Sequence, residues 1–133
     1  MDIDIVGASQ YDAPPRLIEN EPSHHRRSRE LEQSYSFRDV AAVQAFLHAN
    51  PELVELLCEA YGHLEKHFGP DPQVALAVIS DPEGKGADQL FAYIVTSLEV
   101  EEAVARLDGF DMEWFLDQLG RAGGRLNFSL EFV

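Results

Sequence analysis

Apolar residues between Leu53 and Phe68 recur every three or four positions: Leu53, Leu56, Leu57, Ala60, Tyr61, Leu64 and Phe68 share one face of a helix. Asn50-Pro51-Glu52 starts that helix, with Asn as cap, Pro at the first helical position and Glu at the positive end. Gly69-Pro70 stops it. A shorter helix precedes it, from the capping-box variant Ser36-Phe37-Arg38-Asp39 to about His48, with Val40, Val43, Phe46 and Leu47 as its apolar positions.

The period then changes. Gln73 to Ser80 and Gln89 to Thr96 are β-branched and apolar, separated by the turn-forming Asp81-Pro82-Glu83-Gly84-Lys85-Gly86, which predicts a hairpin with a long loop. Both strands are apolar on both faces: Val74, Leu76 and Val78 back onto Ala75, Ala77 and Ile79, and Leu90, Ala92 and Ile94 onto Phe91, Tyr93 and Val95. Such strands call for cover on both sides. Helices supply one cover; the N-terminal arm or a second subunit supplies the other. This makes Phe91 and Tyr93 candidate contact residues.

Beyond Ser97 the helical period returns. One helix is expected from about Glu99 to Asp108, with Val100, Ala103, Val104 and Leu107 inward and Gly109 as its stop. A second is expected from the cap Asp111 to about Arg121, closed by Gly123-Gly124. At 100° per residue, Met112, Phe115, Leu116 and Leu119 form its buried stripe. Trp114, the sole tryptophan, falls on the opposite side with Gln118 and Arg121. A tryptophan there is either folded over the rim of its own domain or a binding hot spot. The chain closes on a strictly alternating run: Leu126, Phe128, Leu130 and Phe132 on one face, Arg125, Asn127, Ser129 and Glu131 on the other.

The resulting order, α-α-β-β-α-α-β, is that of an α+β domain over residues 36–133. It predicts a three-stranded, mainly antiparallel sheet packed against helices, the last strand returning beside the first in the order 2-1-3. Residues 1–35 read as a poorly structured or extended arm: three prolines, the basic cluster His24-His25-Arg26-Arg27-Ser28-Arg29, and few apolar residues apart from a possible edge strand over Met1–Val6. The cluster is either a solvated stretch of that arm or a dock for an acidic surface.

Charge narrows the partners. Ten Lys and Arg against 24 Asp and Glu leave a formal charge of −14. That argues against direct nucleic-acid binding and against anionic membranes, and it favours a basic protein partner. A single cysteine, Cys58, excludes an intramolecular disulfide and fits a reducing compartment. With no signal-peptide pattern and no apolar run of membrane-spanning length, a cytoplasmic location is expected.

The motifs Asn50-Pro51-Glu52-Leu53, Asp81-Pro82-Glu83, Glu101-Glu102-Ala103, and Phe110-Asp111 followed by Trp114-Phe115-Leu116 resemble a group of small, uncharacterised bacterial α+β proteins over residues 50–133. The resemblance implies the α+β class and assigns no catalytic residue.

Chemistry-bearing groups are sparse. His63 and His67 stand one helical turn apart with Glu59 a turn before them, so they are weak candidates for a metal pair, but no further ligand spacing completes a site. Both also suit the negative end of their helix. The loop from Asp81 to Asp88 lacks the spacing of a phosphate-binding loop and leads into a strand, so it reads as a solvated turn. Cys58 has no base in view. No catalytic constellation and no cofactor motif is visible, so neither catalysis nor a cofactor is expected.

The reading that follows is a small acidic protein acting as a protein–protein interaction module. It would be a homodimer, or an adaptor or antitoxin-like partner of a basic protein, with Trp114, Gln118, Arg121, Phe91 and Tyr93 as contact residues. The alternative is a small metal-dependent enzyme built on His63 and His67. Third comes a small-molecule binder between helices and sheet, for which no convergent polar groups are found.

Overall fold

The computed structural model describes residues 23–133 other than 82, 84 and 85, with side chains from residue 29 onward. It is mixed α+β, with five helices and a four-stranded sheet among these residues. Helix α1 (Ser23–Ser34) leads into the two-residue strand β1 (Ser36–Phe37), then α2 (Val40–Ala49) and α3 (Glu52–Phe68). The hairpin β2 (Gln73–Ile79) and β3 (Gln89–Thr96) follows. Helix α4 (Val100–Glu113), a 3-10 turn (Phe115–Gln118), the short α5 (Leu119–Ala122) and β4 (Leu126–Phe132) complete the chain.

The hairpin matches expectation; the sheet around it does not. Its order is β1-β2-β3-β4, with β1 parallel to β2, β2 antiparallel to β3, and β3 parallel to β4. The last strand thus lies beside the second hairpin strand rather than the first. The reason is β1, too short to show a period, which takes the free edge of β2. A crossover containing α4 then delivers β4 parallel to β3, as connections of this length do. The domain is two strand–helix–strand units joined by the hairpin.

The stretch assigned to an arm is also ordered from Ser23. Helix α1 packs on α3, and Leu31 and Tyr35 are buried in the core. The Tyr35 hydroxyl donates to the Leu57 carbonyl at 2.8 Å, and burial pushes its pKa well up. The basic cluster forms the opening turns of α1, and the edge strand expected over Met1–Val6 lies outside the described residues.

Local chemistry accounts for the helix ends. Asp39, rather than Ser36, caps α2, its carboxylate accepting the Ala42 N–H at 3.3 Å. Asn50 closes α2 instead of opening α3: its side-chain N–H donates to the Phe46 carbonyl at 2.9 Å, while its side-chain oxygen accepts from Arg125 at 2.6 Å. Helix α5 ends at Gly123, whose φ of 59° is the left-handed conformation that a glycine adopts at low cost.

Gly109 does not end α4, which runs on to Glu113, so Asp111 is an interior residue of that helix and not a cap. The glycine serves close approach: a Cβ at this position would sit 3.1 Å from Nδ1 of His67 on α3. Arg106 fastens the same crossing by donating to the His67 carbonyl at 2.9 Å.

The sheet residues of the main core cluster come from one face, although Ala75 on the other is also buried. Val74, Leu76, Leu90, Ala92, Ile94 and Leu126 are fully buried, with Phe37, Val78, Phe128 and Leu130 packed against them. Cross-strand register aligns them, for example Phe37, Leu76, Ala92 and Phe128 in one row. The helices contribute Val43, Leu47, Leu53, Leu57, Leu64 and Phe110 from the other side.

Candidate functional site

Trp114 lies inside the core, not on the wet side of a helix. It is 8% exposed, while Met112, Leu116 and Leu119 of the expected buried stripe are 76%, 53% and 50% exposed. The inversion comes from α4 running through Gly109 to Glu113: its inward stripe of Ala103, Leu107 and Phe110 continues to Trp114 four residues on, and leaves Met112 outward. Trp114 then leaves helical geometry (φ −140°, ψ −52°), and the next four residues tighten into a 3-10 turn, which ends the phase for Leu116 and Leu119. Only Phe115 of the expected stripe is buried.

The indole is enclosed by aromatic rings. His63 stacks on it with centroids 4.8 Å apart and planes at 17°, and Phe110 and Phe115 lie at 5.7 Å and 6.2 Å. Gln118 and Arg121 are engaged with each other at 2.9 Å, and Arg121 grips Glu59 through two nitrogens. That trio is therefore a tie between α5 and α3 beside a core tryptophan.

The same seam explains the histidine pair. His63 covers Trp114, and His67 meets Glu113 while its ring lies edge-on to Phe110. Lys66 bonds the second oxygen of Glu113, and these two partners, Lys66 foremost, hold the Glu113 carboxyl below the usual range. Among the described residues no group of three or more His, Cys, Asp and Glu is placed to hold a metal ion. Both imidazoles serve helix packing.

The hairpin loop is likewise occupied by its own chemistry. The Asp81 carboxylate accepts the N–H of Glu83 at 3.0 Å and of Gly86 at 2.8 Å. The amides of Glu83 and Gly86 are thus taken by an internal carboxylate. Nor is a described cation left over in the body. Arg38 pairs with Glu131, Lys66 with Glu113, Arg106 with Glu102, Arg121 with Glu59 and Arg125 with Glu52. Among the described residues no helix is long and apolar enough to cross a membrane.

What remains is the face of the sheet turned away from the helices. Register places Ser36, Ala75, Tyr93 and Ser129 in one row, Ala77, Phe91 and Asn127 in the next, and Gln73, Val95 and Glu131 in a third. None of these residues belongs to the core cluster. Phe91 and Tyr93 are half-buried, and their rings stack at 5.7 Å with planes 18° apart. Ile79, at the hairpin end, is exposed.

One side chain crosses this face. Arg38 follows β1 at one edge, yet its guanidinium lies 5.5 Å from the centre of the Tyr93 ring on β3 and bonds Glu131 on β4. To do so it passes over β2, where the residues on this face are Ala75 and Ala77. A larger residue on β2 would obstruct the path. Arg38 in turn holds the Glu131 carboxyl below the usual range through their hydrogen bond.

Phe91 and Tyr93 were accessible to sequence reasoning, because two-sided apolar strands flag them. Arg38, Glu131 and the alanine pair were not, since they meet only through the order β1-β2-β3-β4. Their trace in the sequence is the pair of small residues alternating with Val74, Leu76 and Val78. No family model, no curated protein and no solved structure matches the chain.

Proposed function

We propose that the protein is a protein–protein interaction module whose contact surface is the helix-free face of its sheet, centred on Phe91 and Tyr93. One observation carries this reading: two stacked, half-buried aromatic side chains sit on the sheet face opposite the main core cluster. Aromatic residues in an uncharged setting are the usual centre of protein interfaces, with charged groups kept to the rim. Here the rim is Arg38 and Glu131, and the centre is Ala75, Ala77, Phe91, Tyr93 and Val95. Adaptor and antitoxin-like roles are both forms that such a module takes in a cytoplasmic setting.

The test is site-specific photo-crosslinking in a cell extract. A benzophenone side chain at Phe91 is expected to yield discrete protein adducts, of this chain or another. The same probe at exposed Glu101 on α4 is expected to yield none. Equal labelling from both positions, or none from Phe91, removes the proposal.

A further inference from the structure

Resting on that reading of the sheet face, we infer that its occupant is a second copy of this chain, the two sheets meeting face to face about a twofold axis. The argument is electrostatic. The chain carries −14, so two copies repel over most of their surfaces. The sheet face is an exception. Ser36, Gln73, Ala75, Ala77, Ile79, Gln89, Phe91, Tyr93, Val95, Asn127 and Ser129 are uncharged, and the two charges beside them, Arg38 and Glu131, cancel.

A basic partner would be matched by an excess of acid at the contact, and this face has none. A nucleic acid or other polyanion would need free cations, and the described ones from residue 36 onward are paired. A twofold contact needs a self-complementary patch. This face carries both members of such a set: a guanidinium at one edge, a carboxylate at the other, and between them a tyrosine ring over which the guanidinium lies. Each copy can offer its Arg38 to the partner's rim while receiving the same in return.

Size sets the strength. Three long strands of about seven residues at about 3.3 Å each, with the two-residue β1 as a fourth and axes about 4.8 Å apart, give a face of at most about 23 Å by about 14 Å. That is about 320 Å² per copy, below the size of a stable specific interface, so association is weak and reversible. Dimerisation is therefore expected at high micromolar to millimolar concentrations. It is also expected to strengthen with added salt, because salt screens the repulsion between two acidic copies while the buried face is neutral. A complex with a basic partner would weaken instead.

Sedimentation equilibrium of the full chain from 10 µM to about 1 mM, at low and high sodium chloride, tests this. The expected result is a monomer–dimer equilibrium that shifts toward dimer at high salt, with at least a tenfold loss of association in Tyr93→Ser. Ser129→Asp keeps both aromatic rings and places like charges across the twofold axis, so it is expected to weaken association similarly while leaving the urea midpoint near that of the wild type. A monomer at every concentration and salt overturns the inference, as does a dimer indifferent to both substitutions. If the protein is monomeric but still gives crosslinks to a different protein from position 91, the second copy is refuted and the interaction face is not. If those crosslinks are absent too, both fall.

Discussion

Replacing Trp114 by alanine separates a tryptophan that builds the core from one that waits for a partner. The indole is 8% exposed and lies among His63, Phe110 and Phe115, with ring centroids between 4.8 Å and 6.2 Å away. Truncating a buried tryptophan removes its transfer free energy and leaves a cavity, about 3–5 kcal/mol together. His63 also loses the ring on which it stacks. In a domain of this size about 1 kcal/mol shifts Tm by roughly 4 °C, so a fall of about 12–20 °C is expected. Urea unfolding followed by far-ultraviolet circular dichroism measures the change without relying on the lost fluorophore. Met112→Ala is the control: at 76% exposed, its truncation is expected to cost under about 0.5 kcal/mol. A cost below about 1 kcal/mol for Trp114→Ala, or a larger one for Met112→Ala, would refute the burial argument and restore the exposed tryptophan expected from helical phase.

Two glycines in helix interiors should respond oppositely to alanine. At Gly62 nothing lies within 4 Å of an added Cβ, so Gly62→Ala is expected to stabilise by about 0.5–1 kcal/mol through propensity alone. At Gly109 the Cβ meets the His67 ring, which Glu113 and Phe110 hold in place, so Gly109→Ala should gain nothing or lose stability; equal urea midpoints for the two variants would show that α4 does not need the close approach. Asp111 is held above the usual carboxyl range by burial and then by Asp108. A carboxyl whose folded pKa is raised makes the fold less stable as pH climbs from its unfolded value through its folded one, and the deficit persists above. Asp111→Asn is therefore expected to stabilise at pH 7 and to do so less at pH 4; the same gain at both values, or a loss at pH 7, would contradict the assignment.

Much of the architecture was legible because the hydrophobic period carried it. The face of α3 from Leu53 to Leu64 and the limits of both hairpin strands follow from spacing alone. The alternation of β4 places its strand, but burial does not follow it, since only Leu126 is buried and Phe132 is 45% exposed. The misreadings share one cause, which is that local signals have two uses. Gly109 carried the signature of a helix stop, but packing against His67 used it as a point of contact. Asn50-Pro51 suggested a cap for α3, yet the Asn50 side chain turned back to α2 and across to Arg125. Strand β1, two residues long, has no period at all and still decided the sheet order.

The candidate surface shows why such errors reach function. The run Phe110 to Leu116 holds the sole tryptophan, and the continuation of α4 through Gly109 turns that residue inward. Phe91 and Tyr93 were less conspicuous, being ordinary aromatics in ordinary strands. They matter because the described helices cover only one side of the sheet. Helix α1, which could have supplied a second layer, packs instead on α3. With the described helices on a single side, the residues on the other must satisfy themselves locally. Arg38 does this in part, laying its chain over the alanines of β2 to reach Tyr93 and Glu131. A pair at 45% and 38% side-chain exposure contributes at most about 1 kcal/mol, so breaking it costs little. The face is therefore crossed by a contact weak enough to exchange, as the proposed reversible interface requires and a stable core does not.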